Sequence, residues 1–264
     1  MPDLQTTLDS RGVLTLTLDR PGVHNAFNAG LIAELQQALH EAEHDKQVRM
    51  LVLTGAGRSF SAGADLQWMR SQVEASEDDN RADAQRLANM LCSLNYLPKP
   101  TIARVNGHAF GGGVGLVACC DMAIAAEDAR FGLTEVRLGL APAVISPYVL
   151  RCIGERQARR WFLTGGRFDA AQARNMGLVH ETCTVDSLDH AVEDLVSGIL
   201  ESGPHAVTAT KRLIFDSAGT NRQAQEALDS DNARLIAALR VSAEGQEGLT
   251  AFLDKRSPAW LSRK

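Results

Sequence analysis

Two stretches of this chain set small residues between a β-branched strand and a helix. In the first, Leu51-Val52-Leu53-Thr54 leads into Gly55-Ala56-Gly57-Arg58-Ser59-Phe60-Ser61-Ala62-Gly63-Ala64-Asp65-Leu66, and a helix begins near Asp65. In the second, Thr101-Ile102-Ala103-Arg104-Val105 leads into Asn106-Gly107-His108-Ala109-Phe110-Gly111-Gly112-Gly113, and the pattern then turns apolar and helical as far as Cys120. Three consecutive glycines at a helix start have two readings. One is backbone packed on backbone, where no Cβ fits. The other is chemical: bare N–H groups at the positive end of a helix dipole reach a ligand oxygen. A phosphate loop is excluded, because no Gly-Lys-Ser/Thr follows and the dinucleotide spacing fails. One strand–glycine–helix unit is a weak signal. Two in one domain can set two N–H groups around one oxygen, the geometry of an oxyanion hole.

At these residues the chain resembles the crotonase superfamily of enoyl-CoA hydratases and isomerases. The likeness rests on Ser59-Phe60-Ser61-Ala62-Gly63-Ala64-Asp65 with Asn106-Gly107-His108-Ala109-Phe110-Gly111-Gly112-Gly113. Arg20-Pro21 with Asn25-Ala26-Phe27-Asn28 is similar to the family's N-terminal signature, and Phe131-Gly132-Leu133-Thr134-Glu135-Val136-Arg137-Leu138-Gly139-Leu140-Ala141-Pro142 to its catalytic-glutamate segment. It covers essentially the whole chain. The wording Gly113-Val114-Gly115-Leu116 and Ala141-Pro142-Ala143-Val144-Ile145-Ser146-Pro147 resembles a bacterial subgroup assigned to 3-methylglutaconyl-CoA hydratase of leucine breakdown, or to related branched enoyl-CoA hydratases.

The resemblance implies an α/β fold: a crotonase-like spiral of ββα turns over residues 1–202, then a C-terminal helical oligomerisation region over 203–264. It implies an acyl-CoA thioester substrate, with coenzyme A carried by the substrate and no separate cofactor. The backbone N–H groups of Ala64 and Gly112 would hold the thioester oxygen, and Glu135 would be the acid/base. Ala62, Asp65 and Leu66 would lie along the CoA moiety, with backbone contacts from Val23 and His24; His24 reads equally well as a solvated turn residue. Phe252 and Lys255 would reach the CoA of a neighbouring subunit in a homotrimer or dimer of trimers.

One position departs from the family. Two-glutamate hydratases carry a carboxylate two residues beyond the last glycine of the triplet, and here that position is Gly115. Glu135 alone can remove and return a proton, since burial raises a carboxyl pKa into the useful range. Its bland alternative is a surface glutamate. One carboxylate serves two reactions: hydration of the 2,3 double bond, or Δ3,Δ2 isomerisation, which needs no held water. A non-catalytic acyl-CoA binder is the reading from another class. The subgroup wording favours the branched-chain hydratase. The space freed at Gly115 is read as room for a methyl branch or a second carboxylate on the acyl group, with Arg70, Arg137 and His108 as candidate cations. Acyl selectivity is assigned to pocket residues on a mobile helix after Trp68 and Met69.

The elements that must position these groups follow from periodicity. Val13-Leu14-Thr15-Leu16-Thr17-Leu18 alternates as a strand, and residues 28–45 form a helix with Leu31, Leu35, Ala38, Leu39 and Ala42 on one face. A helix over 65–70 leads into Ser76-Glu77-Asp78-Asp79-Asn80, read as a mobile polar segment, before a helix over 81–97. A strand is expected over 121–126, and short helices over 147–153 and 155–163 around Gly154. A helix over 169–175, a strand over 179–185 and a helix over 188–200 follow. After Ser202-Gly203-Pro204 the chain is helical, and residues 223–240 carry Leu228, Leu235, Ile236 and Leu239 at helical spacing. That stripe fits packing on its own domain or a subunit contact, and the family resemblance favours trimerisation. Strands alternating with helices define an α/β class.

Composition narrows the partners. At 264 residues the chain suits one sizeable domain, or a core with an appendage. A net charge of −5 and no dense Lys/Arg run give no attraction to nucleic acid or to an anionic membrane surface. The five cysteines, Cys92, Cys119, Cys120, Cys152 and Cys183, show no C-x-x-C spacing, so neither a disulfide frame nor a metal site is expected. No apolar run is long enough to span a bilayer, and Met1-Pro2-Asp3-Leu4-Gln5 starts no basic-then-apolar leader, so a cytoplasmic location is expected.

Overall fold

The computed structural model describes residues 2–261; the outermost residues of the two expected regions, 1 and 262–264, lie outside them. The chain opens with strands β1 (Leu4–Leu8) and β2 (Val13–Leu18), followed by helix α1 (Ala29–His44). Asn28 caps α1 by accepting from the Leu31 N–H at 2.7 Å, and the apolar face buries Leu31, Ile32, Leu35, Leu39 and Ala42. Next come β3 (Met50–Gly55), β4 (Ser59–Ser61), α2 (Leu66–Glu74) and α3 (Glu77–Asn95). Then follow β5 (Thr101–Val105), β6 (His108–Phe110), α4 (Gly112–Cys119), β7 (Met122–Ala126) and β8 (Arg130–Gly132). A 3-10 turn at Glu135–Leu138 precedes α5 (Ser146–Thr164), β9 (Arg167–Asp169), α6 (Ala170–Asn175), β10 (Glu181–Cys183) and α7 (Leu188–Leu200). The chain ends in α8 (Pro204–Ser217), α9 (Arg222–Val241) and α10 (Ala243–Leu253).

The strands divide between two sheets, and the division makes a spiral. Six strands form one sheet in the order β1-β2-β3-β5-β7-β10, and four form the other in the order β4-β6-β8-β9. Consecutive pairs β3/β4, β5/β6 and β7/β8 each give one strand to each sheet before a helical segment returns the chain. This is the expected ββα repeat. Neighbouring turns stack in parallel, with Leu51 opposite Thr101 and Ile102 opposite Met122. Among the described residues only β1 and β9 pair antiparallel, one at an edge of each sheet. All six residues of β3 are buried, as a parallel strand covered on both faces requires.

A large apolar cluster fills the space between the sheets and the helices. A smaller one joins Val13, Met50, Val52, Ile102 and Ile124 to Leu188, Val192 and Val196 of α7, so α7 covers the outer face of the large sheet. All five cysteines are free thiols.

Several expectations are corrected. The segment 76–80 is not a mobile linker: Ser76 caps α3 by accepting from the Asp79 N–H at 3.1 Å, and Asn80 is fully buried. Helix α2 runs on to Glu74 rather than stopping at Arg70. The strand placed over 179–185 is confined to Glu181–Cys183. By contrast, residues 147–153 and 155–163 are two helical pieces broken at Gly154 as expected, where φ of 71° and ψ of 161° are non-helical. The stripe on α9 divides: Ile236 points into the chain's own core, Leu239 is half-buried, and Leu228 and Leu235 remain exposed. Helix α9 packs chiefly on α3, while α10 contacts α2 and the 3-10 turn at Glu135.

Candidate active site

The two glycine turns meet, and Phe27 holds them together. Its backbone pairs with the first turn: the Phe27 N–H donates to the Gly63 carbonyl at 2.6 Å and the Phe27 carbonyl accepts from Asp65 N–H at 2.8 Å. Those bonds use the peptide groups on either side of Ala64. The Ala64 N–H itself has no acceptor among the described residues. The Phe27 ring packs on the second turn, where a Cβ added to Gly112 would lie 2.4 Å from Cε2 of that ring. Gly112 is the first residue of α4, so its N–H has no intrahelical partner, and it has no other acceptor among the described residues. Gly111 turns the chain into the helix at a φ of 49°, a backbone that favours glycine.

Two asparagines fix the loops beneath the turns. Asn25 Nδ2 donates to the carbonyls of Ala56 and Ser59 at 2.9 and 2.7 Å. Asn106 Nδ2 donates to the Gly57 carbonyl at 2.9 Å, and its Oδ1 accepts from the Gly55 N–H at 3.2 Å. Loop carbonyls from the interior (Ser59) to the surface (Gly57) are satisfied in this way, which ties the two loops together.

Both turns open into one cavity of about 360 Å³, lined among others by Phe27, Ala62, Ala64, Trp68, Gly112 and Glu135. Glu135 begins the 3-10 turn that ends at Gly139, where a Cβ would meet the Glu244 carbonyl of α10 at 2.6 Å. The residue is half-buried, but its Oε2 is shut off from solvent and has no hydrogen-bond partner. Loss of hydration disfavours the carboxylate and lifts the Glu135 pKa from 4.5 to about 7. A surface glutamate is thereby excluded. The Glu135 Oε1 stands 3.2 Å from where a methyl on Gly111 would be, so the acid abuts the second turn directly.

The site residues read from sequence divide into two sets. Ala62, Ala64, Gly112, Glu135 and Phe252 line the one cavity, Phe252 doing so in its own chain. Val23, His24, Asp65, Leu66 and Lys255 do not line it. Val23 and Leu66 are exposed apolar side chains, at 44% and 54%. His24 adopts a left-handed φ of 55°, places Nδ1 3.0 Å from Ser59 Oγ, and accepts from the Ala62 N–H at 2.9 Å through its carbonyl. The Asp65 carboxylate is engaged within the protein, capping α2 at the Gln67 N–H (2.7 Å) and pairing with Arg20 (3.1 Å). Lys255 is exposed just beyond α10.

The reading of Gly115 as free space is overturned. A Cβ there would meet Ile145 Cγ2 at 2.4 Å and Ile145 Cβ at 3.0 Å, so Ile145 already fills the position. Of the three candidate cations, Arg137 lines the cavity and is itself exposed. Arg70 and His108 do not line it, and His108 Nδ1 accepts from the Arg130 N–H at 3.2 Å. Four residues with a part in the site were not singled out from sequence as its side chains: Phe27, Ile145, Gln72 and Arg240. Phe27 was quoted only as part of a signature. Ile145 likewise was quoted only within the subgroup wording, and Gln72 and Arg240 give no local signal, because each matters through a contact with a distant segment.

The chain belongs to the enoyl-CoA hydratase/isomerase family, the crotonase superfamily: the family model with that description matches residues 9–263. It is 36% identical to 2,3-dehydroadipyl-CoA hydratase of Escherichia coli over 95% of this chain and 96% of that protein. It is 35% identical to 1,2-epoxyphenylacetyl-CoA isomerase of the same organism, over 96% of each. Among solved structures, an enoyl-CoA hydratase from Shewanella pealeana superposes with a TM-score of 0.80 at 45% identity, covering 98% of this chain and 96% of that one.

Proposed function

We propose that this chain is an enoyl-CoA hydratase that adds water across the 2,3 double bond of a short, branched enoyl-CoA of the 3-methylglutaconyl-CoA type. That role would lie in leucine or fatty-acid breakdown, in the cytoplasm. The observation that carries the reading is the desolvated Glu135 carboxyl, with a pKa of about 7, in one cavity with the free N–H groups of Ala64 and Gly112. In the proposed mechanism those two N–H groups donate to the thioester oxygen, which gathers negative charge as hydroxide adds at C3. Glu135 takes the proton from the attacking water, and the same carboxyl returns a proton to C2. In this reading Ala62, Asp65 and Leu66 would lie along the CoA moiety, with backbone contacts from Val23 and His24. CoA arrives with the substrate, so the chemistry calls for no metal or further cofactor. The relative named a 2,3-dehydroadipyl-CoA hydratase supports water addition.

A second reading has its own observation. Ile145 occupies the place beside Gly115, so the site has one acid there and no second carboxylate to hold water. That arrangement suits a Δ3,Δ2 isomerase, in which one base moves a proton between C2 and C4. Assay in deuterated water against crotonyl-CoA, 3-methylglutaconyl-CoA and a 3-enoyl-CoA separates the two. Addition of one D₂O to a 2-enoyl-CoA is the expected result. Conversion of the 3-enoyl-CoA without hydration of any 2-enoyl-CoA would replace the hydratase by the isomerase, and no turnover of either would leave a non-catalytic acyl-CoA binder.

The proposed assembly is a homotrimer or dimer of trimers through the C-terminal helices. Leu213, Ile214, Leu228, Leu235, Trp260 and Leu261 are exposed apolar side chains there, which supports a subunit contact. Light scattering of the purified protein at micromolar concentration should give three or six times the mass of the chain, and a monomer would overturn the proposal.

A further inference from the structure

The closed end of the cavity contains two polar side chains without adequate partners. Gln72 of α2 and Arg240 of α9 both line it, and they are only 2% and 8% exposed. Gln72 Nε2 has no hydrogen-bond partner, and neither has Arg240 Nε. Arg240 Nη1 makes only long contacts, 3.4 Å to the Asn80 carbonyl and 3.5 Å to Asn80 Oδ1. Among the described residues the guanidinium forms no ion pair. The nearest influence of opposite sign is Asp83, which is already engaged by Arg86 and by Trp68 Nε1.

A buried guanidinium with no carboxylate beside it is costly, and removing such a partner from a buried pair destabilises a protein strongly. The neighbouring lining is apolar: Leu87, Ile236 and Leu249. The unsatisfied atoms on both side chains are donors, so the missing ligand is an acceptor, and the unpaired positive charge requires it to be an anion. The oxyanion turns and Glu135 line the same cavity. An acyl group held there by its thioester carries its far end towards the buried lining.

We propose that Arg240 and Gln72 form an anion subsite that binds a carboxylate at the distal end of the acyl group, so that the substrates are CoA thioesters of unsaturated dicarboxylic acids. The proposal rests on the acyl-CoA reading of the cavity and names the substrate class within it. Arg240 supplies a charge-assisted bond, and the Gln72 amide donates to the second carboxylate oxygen. Discrimination follows from the burial of these donors, since an acyl group ending in methyl leaves them unpaired.

The test uses saturated ligands, which bind without reaction: calorimetric titration of the whole protein with glutaryl-CoA and butyryl-CoA. The wild type should bind glutaryl-CoA at least about tenfold more tightly. Arg240→Met, which keeps the length but removes the charge, should abolish that preference, and Gln72→Leu should reduce it. Equal affinity of the wild type for the two ligands would overturn the subsite. So would an Arg240→Met variant that weakens both ligands alike, because that is the behaviour of a packing residue. If Arg240→Met does not fold, the wild-type preference and the Gln72→Leu titration decide the matter. Because binding is read without turnover, a preserved glutaryl preference with no hydration of any 2-enoyl-CoA would remove the hydratase reading and leave the subsite standing.

Discussion

Position 115 on α4 and position 135 on the 3-10 turn are where two-glutamate relatives of this chain would carry their acids. Here they have opposite fates. Position 135 keeps a carboxyl, strips it of solvent and leaves one oxygen without a partner. Position 115 has no side chain, and its space is closed by Ile145. The difference shows that a missing acid need not be a vacancy. The second segment has been repacked as apolar core, so restoring a carboxylate at 115 requires removal of Ile145 as well. Among the described residues that line the cavity Glu135 is the one carboxyl, so in the proposed mechanism its ionisation is the sensitive variable.

Glu135→Gln tests the comparison most severely. In the proposed mechanism it keeps the shape and removes the base, so kcat should fall by about a hundredfold to ten-thousandfold while the affinity for a saturated acyl-CoA changes little. A variant retaining full turnover would mean that the acid lies elsewhere.

The same substitution has an effect on stability, whose sign is fixed by the raised pKa. Between the ordinary value of 4.5 and about 7, the folded protein holds a proton on Glu135 that the unfolded chain has released. Stability from this residue is therefore present at the acid end and declines as pH rises through that window, by up to roughly 3 kcal/mol. Denaturant titrations of the wild type at several pH values should show the decline. Glu135→Gln should lack it and be the more stable protein above pH 7, and parallel curves for the two proteins would contradict a desolvated carboxyl. Activity should move the other way, with kcat/KM rising as the free enzyme's carboxyl ionises near pH 7.

The smallest effect sharpens the other half of the comparison. Gly115→Ala forces a methyl against Ile145 and should cost about 1–3 kcal/mol, read from urea midpoints. In an Ile145→Ala background the same change should cost less, with a coupling on the order of 1 kcal/mol in the double-mutant cycle. Additive costs would show that position 115 is open after all.

The long periodic elements were legible in the sequence. The stripe from Leu31 to Ala42 gave α1 to within one residue at each end, and α7 was read at its observed ends, because amphipathic helices carry their own signal. Strands β4, β6, β8 and β9 were not read, since three residues are too few to show alternation and they exist through pairing with distant turns. Ser76 was misread because a run of polar residues has the composition of a linker; its capping role depends on the helix that follows. The two bare turns and Glu135 were visible as motifs. That they share one cavity was an inference, and the coordinates supply what joins them: the backbone and ring of Phe27. Gln72 and Arg240 were invisible as a pair, lying on α2 and α9 and meeting only across the finished cavity.

The buried part of the cavity takes some of its lining from α9 and α10, the last long helices of the chain. During synthesis the two turns and Glu135 are complete while Ile236, Arg240 and Leu249 have yet to be added. At roughly 5–20 residues per second this interval is on the order of ten seconds. Until those helices are in place the cavity lacks part of its wall, so a growing chain with both turns formed would leave Glu135 more open to water. A prematurely terminated chain lacking α9 and α10 would therefore be inert, and competence for the reaction would arrive only with the final helices.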